Sequence, residues 1–265
     1  MATVRLTMAQ ALTRWMAAQS IEQLDGSTEP AFAGVWAIFG HGNVAGLGEA
    51  LYGVRDELPT FRGHNEQGMA HIAIAYAKQK QRRRMMAVTT SIGPGATNLA
   101  TAAALAHVNR LPVLLLPGDV FATRAPDPVL QQVESFADGT VSANDTLRPV
   151  SRYFDRITRP EQLLQALPKA MSVLTDPADC GPVTLGLCQD VQAEAWDYPE
   201  HFFAPRVWRM RRIAPDDAEL ARAIACLKDA RRPLIIAGGG VRYSGAAAAL
   251  ADFAAGAGIP VAATQ

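Results

Sequence analysis

The feature that most constrains the fold is a recurring alternation between short apolar runs and helix-like stretches. Four apolar runs, none with polar residues at every second position, end in a glycine-rich or polar turn: residues 35–39, 86–90, 113–116 and 183–187. Runs of this length are typical of parallel strands buried on both faces of a sheet. Helices are expected in segments between them, at 47–58, 66–80, 96–108 and 161–175. Strands that alternate with helices predict an α/β fold, a parallel sheet flanked by helices.

The character of the sequence changes after residue 190. Residues 191–215 are rich in aromatic residues, proline and charge, which predicts a linker packed on a domain surface. Residues 216–265 then contain one strand-helix-strand unit, and a single unit cannot complete a sheet domain. We therefore expect a first domain at 1–190, a linker at 191–215, and at 216–265 the truncated beginning of a second, Rossmann-like α/β domain.

One segment of the first domain fits neither strand nor helix. Residues 121–159 are polar, contain proline and lack a period in places. A connection of this length inside a compact domain is either a functional loop or carries short helices.

The charge balance and the cysteines exclude several classes of protein. Lys plus Arg number 25, as do Asp plus Glu, so no net field attracts nucleic acid or an anionic membrane. No apolar run reaches the ~18 residues of a membrane span, and residues 1–20 have the pattern of an amphipathic helix rather than a signal peptide. The three cysteines match no zinc or CxxC spacing, so reduced thiols and no metal site are expected in this chain. We expect a soluble, cytoplasmic protein.

Glu66 is the strongest candidate for chemistry. Ligands of open parallel sheets bind beyond the carboxyl ends of the strands, and Glu66 follows one of the turns placed there. An acidic residue in a first helical turn is also favoured by the helix dipole alone. The helix that begins at Glu66 is rich in small residues, however, and small residues allow close packing. A carboxyl group that such packing buries needs a partner. The small residues of this helix are Gly68, Ala70, Ala73, Ala75 and Ala77.

The other turns at these strand ends are 40–43, 91–95 and 117–119. In the turn at 91–95, Gly93-Pro94-Gly95 opens a helix whose backbone N–H groups suit an anion or a ring acceptor. A purely structural strand-to-helix turn is an equal alternative for this motif.

An ordered set of motifs covers nearly the whole chain. Residues 63–68 (GHNEQG), 89–98 (TTSIGPGATN) and 111–118 (LPVLLLPG) resemble the pyrimidine-binding domain of thiamine-diphosphate-dependent enzymes of the acetolactate synthase group. Residues 181–192 resemble the end of that domain and residues 232–240 the start of the central domain. Ile92 is an extra residue relative to the common pattern, and Asn65 stands where acetolactate synthases have His.

The resemblance is nearest to one branch of the group, on residues 123–132 and 148–162. That branch, in myo-inositol catabolism, opens a trihydroxylated cyclohexane-1,2-dione by hydrolytic C–C cleavage and yields 5-deoxy-glucuronate. The resemblance thus implies a small polyhydroxylated cyclic dione as substrate. A carboligase or decarboxylase of the acetolactate synthase kind is the alternative enzyme, and a non-catalytic dimerising fragment is the alternative of another class.

The resemblance also implies the roles of individual residues and the cofactors. Glu66 would bind the aminopyrimidine of thiamine diphosphate and activate it as the catalytic acid. Gly42, Pro94 and Asn98 would line the pyrimidine. Mg²⁺ would hold the diphosphate in a domain absent from this chain, in a homodimer or homotetramer of the full-length protein. Candidates for contacts with the substrate are His41, His64 and Gln131, each of which is equally well read as a structural residue.

Overall fold

The computed structural model describes residues 2–38 and 40–264. They form two compact units, with the boundary between Met210 and Arg211. The strands of the first unit are β1 (Thr3–Thr7), β2 (Gln19–Glu22), β3 (Thr28–Pro30), β4 (Phe32–Ala37), β5 (Thr60–Arg62), β6 (Met85–Thr90), β7 (Val113–Asp119), β8 (Tyr153–Ile157), β9 (Pro182–Cys188), β10 (Ala195–Pro199) and β11 (Arg206–Trp208). Its α-helices are α1 (Met8–Ala17), α2 (Glu49–Gly53), α3 (Glu66–Gln79), α4 (Pro94–Thr97), α5 (Ala100–Asn109) and α6 (Leu163–Leu174).

A six-stranded parallel sheet forms the centre of the first unit, in the order β5-β4-β6-β7-β9-β8. Every residue of β6, β7 and β9 is buried, as expected of central parallel strands. The α/β prediction is therefore confirmed. The predicted strand at 35–39 corresponds to β4, and Phe39 lies outside the described residues.

Helices cover both faces of this sheet. One face packs with α1 and α6 into the main hydrophobic core, which takes alternate residues of the strands, such as Met85 and Ala87 of β6. On the other side α3 packs against β6 and against α5. The small residues Ala70, Ala73 and Ala77 of α3 are fully buried, which confirms the close packing predicted for this helix.

Two of the predicted helices differ in extent from the observed ones. The segment predicted at 47–58 is a π-helical turn (Val44–Gly48) followed by α2, which ends at Gly53 because glycine and the β-branched Val54 are poor helix formers. The helix predicted at 96–108 begins earlier, at Pro94, and is interrupted between α4 and α5. Proline is favoured at the first position of a helix.

Residues after Asp190 return to the first unit. β10 pairs with β1, and β11 joins β2 and β3 in a small second sheet. Tyr198 is fully buried and donates its hydroxyl to the carbonyl of Pro160 at 3.0 Å, while the indole N–H of Trp208 donates to Gln19 Oε1 at 2.9 Å. These contacts tie the aromatic segment to the first unit, and the domain boundaries at 190 and 215 stay predictions.

The long segment after β7 is mostly a loop. Residues 120–142 contain neither helix nor strand, and a 3₁₀ helix (Ala143–Val150) and β8 follow. The sequence allows a loop or short helices for this segment, and the segment contains both.

The second unit contains α7 (Asp217–Asp229), β12 (Ile235–Ala237), α8 (Gly239–Tyr243), α9 (Ala247–Ala257) and β13 (Val261–Ala263). Strands β12 and β13 pair in parallel, which is the strand-helix-strand arrangement that the sequence predicts. Among the residues described, no helix combines the length and apolar character needed to cross a bilayer.

The cysteines are free thiols. Burial raises the pKa of both Cys180 and Cys188 to about 12, so these two thiols stay protonated at neutral pH.

Candidate functional site

Glu66 is the first residue of α3 and is half-buried. Its Oε2 accepts a hydrogen bond from the side-chain amide of Asn98 at 2.8 Å. The neighbouring Asn65 is the N-cap of α3 and accepts a hydrogen bond from the Gly68 backbone N–H, also at 2.8 Å. Asn65 therefore fixes the start of the helix, and Asn98 fixes the orientation of the Glu66 carboxyl group.

The turn after β6 approaches Glu66 closely because Gly95 has no side chain. An ideal Cβ on Gly95 would lie 3.2 Å from Glu66 Oε1 and would overlap Ser91 Oγ. Gly93 has a φ of +60°, and a Cβ there would overlap the backbone carbonyl of Gln131. Both glycines of the Gly93-Pro94-Gly95 motif are thus required by the geometry of the turn.

The turn after β4 is fastened to the end of β6 by Asn43. This buried side chain donates to Thr89 Oγ1 at 3.0 Å and to the carbonyl of Thr90 at 2.8 Å. Its Oδ1 accepts the Gly40 N–H at 3.2 Å, and the Ile92 N–H donates to the His41 carbonyl at 3.2 Å. The two turns at the carboxyl ends of β4 and β6 therefore form one connected unit.

Gln192 holds the same turn from the other side. Its Nε2 donates to the carbonyl of Gly42 at 2.6 Å, and its Oε1 accepts the Leu47 N–H at 3.1 Å. Gly42 has a φ of +99°, a conformation that side chains other than glycine rarely adopt. Neither Asn43 nor Gln192 is among the site residues that the sequence predicts, although each is a polar residue close behind an apolar run.

The structure brings some of the predicted site residues together. Gln131 is exposed, but its backbone lies against Gly93 and its side-chain oxygen lies 3.7 Å from an ideal Cβ on Gly40. Pro94 is exposed at the start of α4, and His41 is half-buried. His64 is exposed two residues before Glu66. The ligand-binding roles of all these residues stay predictions.

No group of three or more His, Cys, Asp or Glu side chains that could hold a metal occurs among residues 2–38 and 40–264. The groups assembled around Glu66 are its own carboxyl group, the Asn98 amide and the backbone of the neighbouring turns.

Two family comparisons cover separate parts of the chain. Residues 33–138 match the N-terminal TPP binding domain of thiamine pyrophosphate enzymes, and residues 220–265 match their central domain. The first match contains Glu66, Asn98 and the turns that surround them.

Curated relatives match over the whole chain. It is 54% identical over 265 residues to the 3D-(3,5/4)-trihydroxycyclohexane-1,2-dione hydrolase of Geobacillus thermodenitrificans (strain NG80-2). Identity is also 54% to the proteins named as this hydrolase from Bacillus cereus (strain AH820) and Bacillus thuringiensis (strain Al Hakam). The chain spans 41% of the length of these relatives. The chain therefore matches both the N-terminal and the central domain of thiamine pyrophosphate enzymes.

Proposed function

We propose that this chain supplies the cofactor-activating half of a thiamine-diphosphate site that hydrolyses a C–C bond of a trihydroxylated cyclohexane-1,2-dione to give 5-deoxy-glucuronate. The observation that carries the proposal is the Glu66 carboxyl group, held by Asn98 beside a turn that has no side chain at Gly95. The substrate is proposed from the names of the relatives. The predicted cytoplasmic location stays a prediction.

The residues around Glu66 fit the aminopyrimidine of thiamine diphosphate. Asn98 occupies Oε2, whereas Oε1 lies on the side of Gly95, where an ideal Cβ would come within 3.2 Å of it. A carboxyl oxygen is a suitable partner for a ring nitrogen such as N1′ of the pyrimidine. Gly42, Pro94 and Asn98 would line the ring. When bound, the cofactor supplies a nucleophilic carbon and an electron sink for C–C cleavage.

Within this arrangement Glu66 holds or lends one proton. It does so at the carboxyl oxygen that faces the pyrimidine ring. The Asn98 amide keeps the carboxyl group in one orientation. The diphosphate and Mg²⁺ are assigned to a part of the protein outside this chain, as the family resemblance implies.

A second copy of the chain is the proposed partner of α3 and α5. These two helices pack together, and their outer faces expose Ile72 at 48%, Leu105 at 43% and Val108 at 73%. Adjacent apolar side chains of this kind mark a protein interface. A partner subunit at this face would cover Ile72, Leu105 and Val108, which are exposed in the single chain.

The substrate contacts are proposed for the residues at the rim of the turns. Gln131 is the best placed, because it lies against both Gly93 and Gly40. His41 and His64 are the further candidates for hydroxyl recognition or proton transfer.

Replacing Asn98 by Ala is expected to slow exchange of the C2 proton of bound thiamine diphosphate about 10- to 100-fold, which corresponds to one hydrogen bond to a charged group. The carboxyl group would remain but would lose its fixed orientation. Quenched-flow proton NMR on the full-length protein measures this rate. Asn109→Ala is the matched control, since the exposed Asn109 side chain donates to the Leu105 carbonyl within α5. Equal C2 exchange rates in the two variants would mean that Asn98 has no role in the site.

The choice of substrate is tested by assaying the full-length protein on the cyclic dione and on pyruvate. Turnover of the dione to the open-chain acid is the expected result. Turnover of pyruvate alone would replace the proposal by a carboligase or decarboxylase. An active-site titration that finds no bound thiamine diphosphate would favour the non-catalytic dimerising role.

A further inference from the structure

A buried ion pair lies at the carboxyl end of the sheet, apart from Glu66. Asp119, the last residue of β7, has a fully buried side chain. The guanidinium group of Arg156 on β8 donates to both of its carboxylate oxygens, through Nε at 2.7 Å and through Nη2 at 3.3 Å. Burial lowers the pKa of the Arg156 guanidinium, but the charge of Asp119, its hydrogen bonds to Arg156 and the other nearby acidic groups together raise the pKa above its ordinary value. Arg156 is therefore charged at neutral pH and compensates the buried carboxylate.

The same carboxylate holds both ends of the loop at 120–142. Its Oδ1 accepts the Val120 N–H at 2.8 Å, where the loop leaves β7. It also accepts the hydroxyl of the buried Ser142 at 2.9 Å, where the loop ends. Hydrogen bonds to a charged group are among the stronger ones in proteins. Asp119 therefore closes the loop at its base.

Strand β9 leaves space for this arrangement at Gly186. An ideal Cβ there would lie 3.2 Å from Asp119 Oδ2 and 3.1 Å from the amide nitrogen of Asn144. Asn144 is itself buried and donates to the Gly118 carbonyl at 3.1 Å. The close fit of these groups restricts where the carboxylate and the returning chain can lie.

The loop that is closed in this way reaches the candidate site. The Gln131 carbonyl lies against Gly93, and a Cβ at that glycine would overlap it. Gln131 has a φ of +66°, so its backbone adopts the left-handed conformation at this contact. Farther from the site, the Asp190 carboxylate accepts the Ala122 N–H at 2.9 Å.

We infer that Asp119, paired with Arg156, is a positioning residue that holds the loop at 120–142, and with it Gln131, over the turn at 91–95. The part of the inference that concerns Gln131 and the substrate rests on the proposed function. The part that concerns the loop does not depend on which substrate is used.

The test removes the hydrogen bond from Ser142 to Asp119, together with the one that Ser142 Oγ accepts from the Asn144 N–H, and leaves the ion pair intact. In the full-length protein, Ser142→Ala is expected to speed backbone hydrogen exchange in residues 120–142 about tenfold, the worth of one hydrogen bond to a charged group. Exchange in β6 and β7 should not change. The KM for the dione should rise several-fold, while kcat and the C2 exchange rate of thiamine diphosphate stay near those of the wild type.

Thr146→Ala is the matched control, because its exposed hydroxyl donates to the Ala143 carbonyl within the same 3₁₀ helix. If Ser142→Ala does not fold, Arg156→Lys, which keeps the charge but loses the two-pronged contact, repeats the comparison. Hydrogen exchange in residues 120–142 that is as slow as in the control would overturn the inference. Faster exchange in these residues with an unchanged KM would overturn it as well. If the protein acts on pyruvate instead, the proposed function fails. The comparison of Ser142→Ala with Thr146→Ala, made with the KM for pyruvate, then still decides the inference.

Discussion

Replacing Glu66 by Gln is expected to slow exchange of the C2 proton of thiamine diphosphate by about 10²–10⁴-fold, the range of a lost general acid-base group. The amide has nearly the shape of the carboxyl group, but it cannot hold and lend a proton at neutral pH. Turnover should fall by the same factor. Quenched-flow proton NMR on the full-length protein with bound cofactor measures the exchange rate directly.

The fold should survive this change. Glu66 lies at the start of α3, where its charge contributes only about 0.3–1 kcal/mol through the helix dipole. Glu49→Gln is the matched control, since Glu49 is an exposed acid in the first turn of α2. Both variants should have melting temperatures close to that of the wild type, and only Glu66→Gln should lose exchange of the C2 proton. Exchange in Glu66→Gln as fast as in the control would contradict the role of Glu66.

Replacing Gly93 by Ala has the second largest expected effect. Its φ of +60° is unfavourable for alanine, and the new Cβ would overlap the Gln131 carbonyl. The left-handed conformation and the overlap together should cost at least about 2 kcal/mol in the free energy of unfolding. Because this turn also faces Glu66, affinity for thiamine diphosphate should fall as well. Denaturant unfolding and cofactor titration measure the two effects.

Gly139→Ala is the control for this variant. Gly139 lies in the long loop, and an ideal Cβ there meets no atom within 4 Å. The free energy of unfolding of Gly139→Ala should stay within about 0.5 kcal/mol of that of the wild type, as for most surface substitutions. Equal stability of the two variants would mean that the turn at 91–95 adapts to a side chain, and the close approach of Gln131 would not be essential.

The sequence predicts the centre of the sheet well and its edges poorly. The strands β6, β7 and β9 are buried along their whole length and mostly apolar, because helices cover them on both faces. The edge strand β5 has three exposed residues, and β8 is half-buried along most of its length. Neither strand needs an apolar run, so the sequence carries no signal for them.

The candidate site likewise has one part that the sequence predicts and one part that it does not. Glu66 and Asn98 lie in motifs that are continuous in the sequence, and the structure joins them by a hydrogen bond. By contrast, the tie between Asp119 and Ser142 depends on a loop that returns to the end of its own strand. Contacts of this kind follow from tertiary packing, and no local period or propensity indicates them.

The proposed function depends on Glu66 binding the pyrimidine of thiamine diphosphate. A crystal structure of the full-length protein with the cofactor tests it most directly. We expect the pyrimidine N1′ within hydrogen-bonding distance of Glu66, with the ring beside Gly95 and with Asn98 still bonded to the other carboxyl oxygen. A pyrimidine ring bound elsewhere, with Glu66 in contact with Asn98 alone, would contradict it.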